Sequence, residues 1–284
     1  MEMIREIDVS IIIPAFNAEK SLGRAINSCL RFERFKPRII IINDGSKDAT
    51  IKVLEQYGNS KQLTIINLSE NQGVSNARNA GINEAVSDYI LFLDADDYFL
   101  PNADVYIAKA ITNNPNIDLY CFGYIINGKK SPKPKSDRLN MEFLRNKFSN
   151  TNTIIVKKNS MKEIRFDSKY RIGEDTLFWF TLLCNAKAKF FANEIACYEY
   201  QPKINLAINH PLLGQDLKKL GLTEMEQVEV RSIVSKDQNR RAAFSRIFSP
   251  IEAFNYLGLK GLLYWSLGPN NFAMAWRINR YFRK

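Results

Sequence analysis

The chain has 284 residues, 45% hydrophobic and 25% charged, with 40 Lys+Arg against 30 Asp+Glu and a formal net charge of +10. These proportions exclude a disordered or fibrous chain, and the length allows a core that needs no disulfide or metal staple. No apolar run reaches the ~18–20 residues of a membrane span, the charged opening MEMIRE is unlike a secretory leader, and Cys29, Cys121, Cys184 and Cys197 form no close pair, so a reduced, cytoplasmic protein without a zinc site is expected.

Val9 to Ile13 is a β-branched run closed by Pro14, which predicts a buried strand with a breaker at its C-terminal end. Ser21 to Leu30 reads as a helix with Leu22, Ala25, Ile26, Cys29 and Leu30 on one face. A second strand, Arg38 to Ile42, ends in Asn43-Asp44-Gly45-Ser46, and the helix after it has Asp48 as N-cap and Gly58 at the position of a C′ glycine. Leu63 to Asn67 is a third strand, Val74 to Val86 a third helix and Asp88 to Leu93 a fourth strand. Such alternation predicts an α/β fold, a mainly parallel Rossmann-like sheet with helices on both faces. Ligands of such sheets bind outside the carboxyl ends of the strands.

Beyond residue 98 the pattern loosens. Asp118 to Ile126 reads as a strand, Gly128 to Arg138 as an exposed basic loop, Thr153 to Val156 as a strand, Asp175 to Ala186 as a helix and Phe190 to Tyr200 as a strand. From Pro211 only helical segments follow. The expected organisation is a catalytic domain over 1–210, divided at 97/98, and a helical C-terminal region over 211–284. That region holds 12 basic and 6 acidic residues. Ile251 to Leu267, rich in Leu, Phe and Tyr and with Trp265, is too polar to span a bilayer. It suits either the headgroup region of an anionic membrane, helped by Arg277, Arg280, Arg283 and Lys284, or packing on the catalytic domain or across a dimer.

The chemistry concentrates at strand ends. Leu91-Phe-Leu-Asp94-Ala-Asp96-Asp97 puts carboxylates directly after a buried strand. In extended chain Asp94 and Asp96 point the same way and Asp97 turns aside. Two carboxylates in one cleft call for a hard divalent cation, Mg2+ or Mn2+, shared with phosphate oxygens, or else for solvent around an acidic turn. Asp44 and Pro14-Ala15-Phe16-Asn17 end their own strands on the same edge.

The segments VSIIIPAFNAEKSLGRAINSCL, IIINDGSKDAT, NQGVSNARNAGI and YILFLDADD, in that order and spacing, resemble the nucleotide-binding half of a family 2 glycosyltransferase of the GT-A fold. Ile164-Arg-Phe166 through Gly173-Glu174-Asp175 to Phe178 resembles its acceptor-side motif. The resemblance implies an inverting, metal-dependent transferase of bacterial polysaccharide or lipopolysaccharide synthesis. It would move a hexose or N-acetylhexosamine from a UDP-sugar to a hydroxyl of a saccharide acceptor, lipid-linked or free. Pro14, Ala15 and Phe16 would line the base pocket, and Asp44 would accept the uracil N3–H. Arg78 would lie near the nucleotide, Asp94 near the ribose, and Asp96 would bind the metal. Asp175 would be the general base, with Glu174 as the other candidate. Peripheral contact with the inner face of the membrane and a homodimer are compatible with this reading.

The resemblance has gaps. An arginine expected after the last strand is replaced by Gln201, leaving Lys203 as nearby charge. His210, the sole histidine, is a surface, core or metal-ligating residue, and Trp179 a core or acceptor-platform residue. Two other classes are open. A nucleotidyltransferase would carry a glycine-rich triphosphate loop, which Pro14-Ala-Phe-Asn17 is not. A nucleic-acid-binding module would use the basic tail, but no zinc-finger or RNP-like motif accompanies it, so no nucleic-acid partner is expected.

Overall fold

The computed structural model describes residues 7–170, 173–198 and 211–247. In the N-terminal half β1 (Val9–Ala15), α1 (Leu22–Leu30), β2 (Arg38–Asn43), α2 (Thr50–Glu55), β3 (Leu63–Asn67), α3 (Val74–Glu84) and β4 (Tyr89–Phe92) alternate as the hydrophobic runs predict. β1 lies between β2 and β4 and is parallel to both, with β3 beyond β2. In the order β3-β2-β1-β4 the winding reverses at β1. The crevice outside the carboxyl ends of β1 and β4 is therefore the switch point where ligands bind in such sheets.

Successive β1 side chains enter opposite cores. Val9, Ile11 and Ile13 meet Leu22, Ala25, Ile26 and Cys29 of α1, while Ile12 meets Ala77 and Ile82 of α3. Helix α3 sits close on the sheet because residue 81 has no side chain: a Cβ on Gly81 would lie 2.3 Å from Ile12 Cγ2.

Three local expectations change. Strand β1 does not stop at Pro14 but continues to Ala15, with Pro14 opposite Ile42. The ladder to β4 has already ended at Ile12–Phe92, so the missing proline N–H leaves no partner waiting. Asp48 starts α2 by accepting from the Thr50 amide at 3.0 Å, one residue before the position of the formal cap, Ala49. Gly58 lies three residues past α2, donates to Glu55 O and is not left-handed, so it is a turn residue and no C′ cap.

The second half adds β5 (Tyr98–Phe99), α4 (Ala103–Asn113), β6 (Leu119–Ile126), β7 (Lys129–Lys130), α5 (Leu139–Asn146), β8 (Ile154–Lys157), α6 (Lys158–Met161), α7 (Glu174–Asn185) and β9 (Ala188–Tyr198). The sheet order is β3-β2-β1-β4-β8-β6-β9-β5, with β7 on β6. β8 runs antiparallel to both β4 and β6, β5 antiparallel to β9, and β6 parallel to β9. The sheet is thus parallel over β3-β2-β1-β4 and mixed beyond β4. The expected loop after residue 127 opens with β7, because Asn127 and Gly128 are both left-handed and make the two-residue turn of a hairpin.

After Pro211 come two short 3-10 turns, Pro211–Gly214 and Leu217–Leu220, and the long helix α8 (Glu224–Ile247). Leu212, Leu217, Leu222, Val230 and Val234 share one hydrophobic core with Phe178, Trp179 and Leu182 of α7. Among the described residues no helix is long and apolar enough to cross a membrane. Gln201, Lys203, His210 and the aromatic stretch 251–267 lie outside the described residues.

Candidate active site

The first wall of the crevice is made by two loops that hold each other. Asn17, left-handed at φ 50°, donates its amide to Ser46 Oγ at 3.0 Å and accepts from the Lys47 amide through Oδ1 at 2.8 Å. Ala18 N–H donates to Thr50 Oγ1 at 2.8 Å, and Glu19 exchanges bonds with the Asp48–Ala49 segment. These reciprocal bonds fix Pro14, Ala15 and Phe16 at the end of β1. Pro14 and Ala15 are buried, whereas the Phe16 ring is 45% exposed at the crevice.

Asp44 follows β2 and is buried. Its Oδ1 accepts from the Gln72 amide at 2.8 Å and its Oδ2 from the Gly73 amide at 2.9 Å, so it caps the entry to α3. Gly45 is left-handed, and a Cβ there would come within 2.5 Å of the Glu70 carbonyl carbon. Asp44 and Gly45 together press the 70–73 segment onto the end of β2.

Extended geometry ends at Phe92, so the expected parallel aim of Asp94 and Asp96 is replaced by a turn. The Asp97 amide donates to Asp94 O at 3.0 Å. Asp96 is left at the solvent side, and Asp97, expected to turn aside, becomes fully buried. Asn152 locks this turn: its Oδ1 accepts from the Asp94 amide at 2.9 Å and its Nδ2 donates to Asp97 Oδ2. From α1, Arg24 Nη2 donates to the Asp96 carbonyl at 2.7 Å, its guanidinium over the Tyr98 ring.

Arg78 joins the two halves. It projects from α3, only 4% exposed, donating through Nη2 to Asp94 Oδ1 at 2.7 Å and through Nη1 to Glu174 Oε1 at 3.1 Å. Its Nε is buried without a hydrogen-bond partner among the described residues. The guanidinium lies over the Phe166 ring at 5.1 Å, and that ring stacks on Phe178 at 3.8 Å. Asn79 holds Phe166 in place by bonding both its amide and its carbonyl. Burial works against the Arg78 charge, but Asp94 and then Glu174 outweigh it and raise its pKa.

Helix α7 begins after left-handed Gly173 and brings Glu174 and Asp175 in its first turn. Burial first, and the charge of Asp175 second, push the Glu174 carboxyl up to about 7 against the pull of Arg78. Asp175 is half-buried. Its Oδ1 accepts from the Thr176 amide at 2.6 Å and from the Thr176 hydroxyl at 3.3 Å, and Oδ2 takes no hydrogen bond among the described residues. Trp179 is wholly buried and donates to Thr151 Oγ1, so it is core and no acceptor platform.

Of the predicted site residues, Asp94, Arg78 and Glu174 touch, with Asp175 adjacent and its charge felt at Arg78. Asp44, with Pro14, Ala15 and Phe16, and Asp96 lie on the same strand-end edge. Sequence reasoning missed Arg24, Asp97, Asn152 and Thr176. The Asp97 carboxylate was visible in the motif, but nothing in the polar run Asn150-Thr-Asn-Thr marks which asparagine reaches back across the sheet.

The Glycosyl transferase family 2 profile matches residues 10–182, from β1 through most of α7. The chain belongs to that family. The Minor teichoic acid biosynthesis protein GgaB of Bacillus subtilis is 29% identical over 216 residues, covering 68% of this chain and 23% of that protein. The match spans only 23% to 36% of the length of the first curated relatives. S. aureus TarS 1-349 in complex with UDP-GlcNAc matches with a TM-score of 0.63 at 20% identity, covering 91% of this chain and 78% of that one. The Pyrobaculum calidifontis mannosyltransferase PcManGT, in complex with GDP-Man and Mn2+, matches with a TM-score of 0.50 at 17% identity, covering 67% and 56%. These neighbours show the GT-A fold.

No group of three His, Cys, Asp or Glu residues among those described could hold a metal ion. A solvent-facing carboxylate at Asp96 nevertheless fits Mg2+ or Mn2+, which take one or two protein carboxylates and fill their shell with phosphate oxygens and water.

Proposed function

We propose that this chain transfers a hexose or N-acetylhexosamine from a UDP-sugar to a hydroxyl of a saccharide acceptor, with inversion, in the synthesis of a bacterial surface polysaccharide. The observation that carries this reading is the meeting of Asp94 from the donor edge with Glu174 from the acceptor helix on the single guanidinium of Arg78, with Asp175 beside them. TarS and GgaB support the UDP-sugar and the surface-polymer setting as relatives in family and fold.

The parts have the following roles. Phe16, exposed at the end of β1, offers a face to uracil, with Pro14 and Ala15 beneath it. Each Asp44 oxygen accepts one amide, which leaves it lone pairs for the uracil N3–H. A base without that donor would leave the remaining lone pairs of this buried carboxylate unfilled, which favours uracil. Asp94, oriented by Arg78 and Asn152, faces the ribose. Asp96 would hold Mn2+ or Mg2+, which when bound neutralises charge on the diphosphate.

On the acceptor side Asp175 Oδ2 takes the proton of the attacking hydroxyl. The hydroxyl oxygen bonds to the anomeric carbon as the bond to the phosphate oxygen breaks, and UDP leaves with that electron pair. Attack opposite an α-linked nucleotide gives a β-linked product. Glu174, buried and taken up by Arg78 through Oε1, is less open to an incoming hydroxyl than half-buried Asp175.

Calorimetric titration of UDP, GDP and CMP with and without Mn2+, on wild type and Asp96→Ala, tests the donor half. Metal-dependent UDP binding that Asp96→Ala abolishes is the expected result. Metal-dependent GDP binding in its place would overturn the UDP assignment, and no nucleotide binding under any condition would overturn the whole reading.

A further inference from the structure

Helix α5 ends with Lys147 in the left-handed region, φ 50°. That conformation closes the helix, the Lys147 amide donating to Phe143 O at 3.1 Å while Tyr124 Oη donates to the Lys147 carbonyl at 2.8 Å. Glycine or asparagine usually fills such a position, because a Cβ is disfavoured there. Lysine is therefore not explained by the backbone, and strain of this kind gathers where a side chain is needed.

The side chain has a defined course. It passes over the Phe143 ring, 4.9 Å from its centroid, and its Nζ donates to Thr176 Oγ1 at 3.0 Å. An ammonium can only donate, so the Thr176 hydroxyl accepts from Lys147 and its own hydrogen is free to go to Asp175 Oδ1, 3.3 Å away. The Thr176 amide donates to the same oxygen. Both bonds on Asp175 fall on Oδ1, which fixes the carboxylate plane and leaves Oδ2 without a hydrogen bond among the described residues.

We propose that Lys147 is a positioning residue that, through the Thr176 hydroxyl, holds the Asp175 carboxylate with Oδ2 as the proton-accepting oxygen. The inference rests on Asp175 being the general base. It adds a residue from the end of α5, outside both family motifs, to the machinery of the acceptor side.

The test uses the full chain with UDP-GlcNAc and Mn2+, following UDP release with water as acceptor, together with the amide resonance of Thr176 in 15N-threonine-labelled protein. Lys147→Met and Thr176→Val are expected to lower kcat roughly 10- to 100-fold, with the donor KM and the calorimetric affinity for UDP unchanged. Lys147→Arg and Thr176→Ser recover most of the loss. The Thr176 amide, held downfield by its short bond to Asp175, moves upfield in Lys147→Met. In an Asp175→Asn background Lys147→Met costs nothing further. Lys147→Asn suits the left-handed backbone, so it keeps or raises Tm while kcat still falls, which separates the effect from misfolding.

Unchanged kcat in Lys147→Met, an unmoved Thr176 amide, or a full further loss in the Asp175→Asn background overturns the proposal. Wild-type UDP release by Asp175→Asn overturns the base assignment, and the role of Lys147 with it. No UDP release by the wild type instead counts against UDP-GlcNAc as donor, and the amide resonance alone then decides whether Lys147 holds the carboxylate.

Discussion

Replacing Glu174 by Gln keeps the shape of the side chain and the oxygen that Arg78 Nη1 meets at 3.1 Å, and removes only the charge. Burial, then the charge of Asp175, raise the Glu174 carboxyl from 4.5 to about 7, with Arg78 pulling the other way. The folded protein therefore binds this proton more tightly than the unfolded chain does. Between these two values the unfolded chain has released the proton and the folded protein has kept it. The stabilisation is fully present below pH 4.5 and is lost as pH rises through about 7. At ~1.4 kcal/mol per pH unit the loss amounts to about 3 kcal/mol.

The glutamine variant has no such loss. Near the lower end of the window the two proteins should be equally stable, and well above neutrality Glu174→Gln should be the more stable by up to about 3 kcal/mol. Urea unfolding across that pH range measures this directly, and the difference cancels every other titrating group the two proteins share. The slope m must stay constant, so that the midpoint alone carries the change. For a chain of this size the upper limit corresponds to roughly 6–12 °C in Tm. A glutamine variant that is less stable than wild type above neutrality would mean that the pull of Arg78 outweighs burial and the charge of Asp175 at Glu174, and the electrostatic account of the site would be wrong.

Arg78→Met should unfold at markedly lower denaturant, a cost of about 3–5 kcal/mol for leaving buried carboxylates without their cation; the loss should shrink as pH falls and Glu174 takes a proton. Gly81→Ala gains ~1 kcal/mol of helix propensity but drives a methyl to 2.3 Å from Ile12 Cγ2. Overpacking at about 1–3 kcal/mol should win, seen as a lower Tm whose deficit narrows in an Ile12→Ala background.

The parallel half was legible because β-branched runs and amphipathic helices there alternate cleanly, and its chemistry sits at strand ends where a single rule finds it. Asp44, Asp94 and Glu174 could be named because each closes or opens an element. Their partners could not. Asn152 is one of two asparagines in a polar run, and only the antiparallel insertion of β8 beside β4 brings it to Asp94 and Asp97. The Asp94–Asp97 turn escaped because alternation extrapolates a strand past Phe92, whereas a hydrogen bond between residues three apart ends it. The β6–β7 hairpin had a signal, Asn127-Gly128, which the surrounding lysines and prolines masked. Lys147 carried none, since a left-handed lysine at a helix end is invisible without φ.

One cation, Arg78, serves carboxylates from both sides of the crevice. Arg78 is buried, stacked on Phe166 and rooted in a helix that lies against β1 through Gly81, so it cannot follow either partner far. Asp94 is the more exposed of its two acids and Glu174 the less, at 29% and 10%. A ligand that draws Asp94 away from Nη2 leaves the full guanidinium charge to Glu174, which then ionises more readily. A change in the charge of Asp175 reaches Glu174 directly, because Asp175 is the second-largest cause of its raised pKa. The charges of Asp94 and Asp175 therefore both bear on the Glu174 carboxyl, Asp94 by sharing Arg78 with it and Asp175 directly.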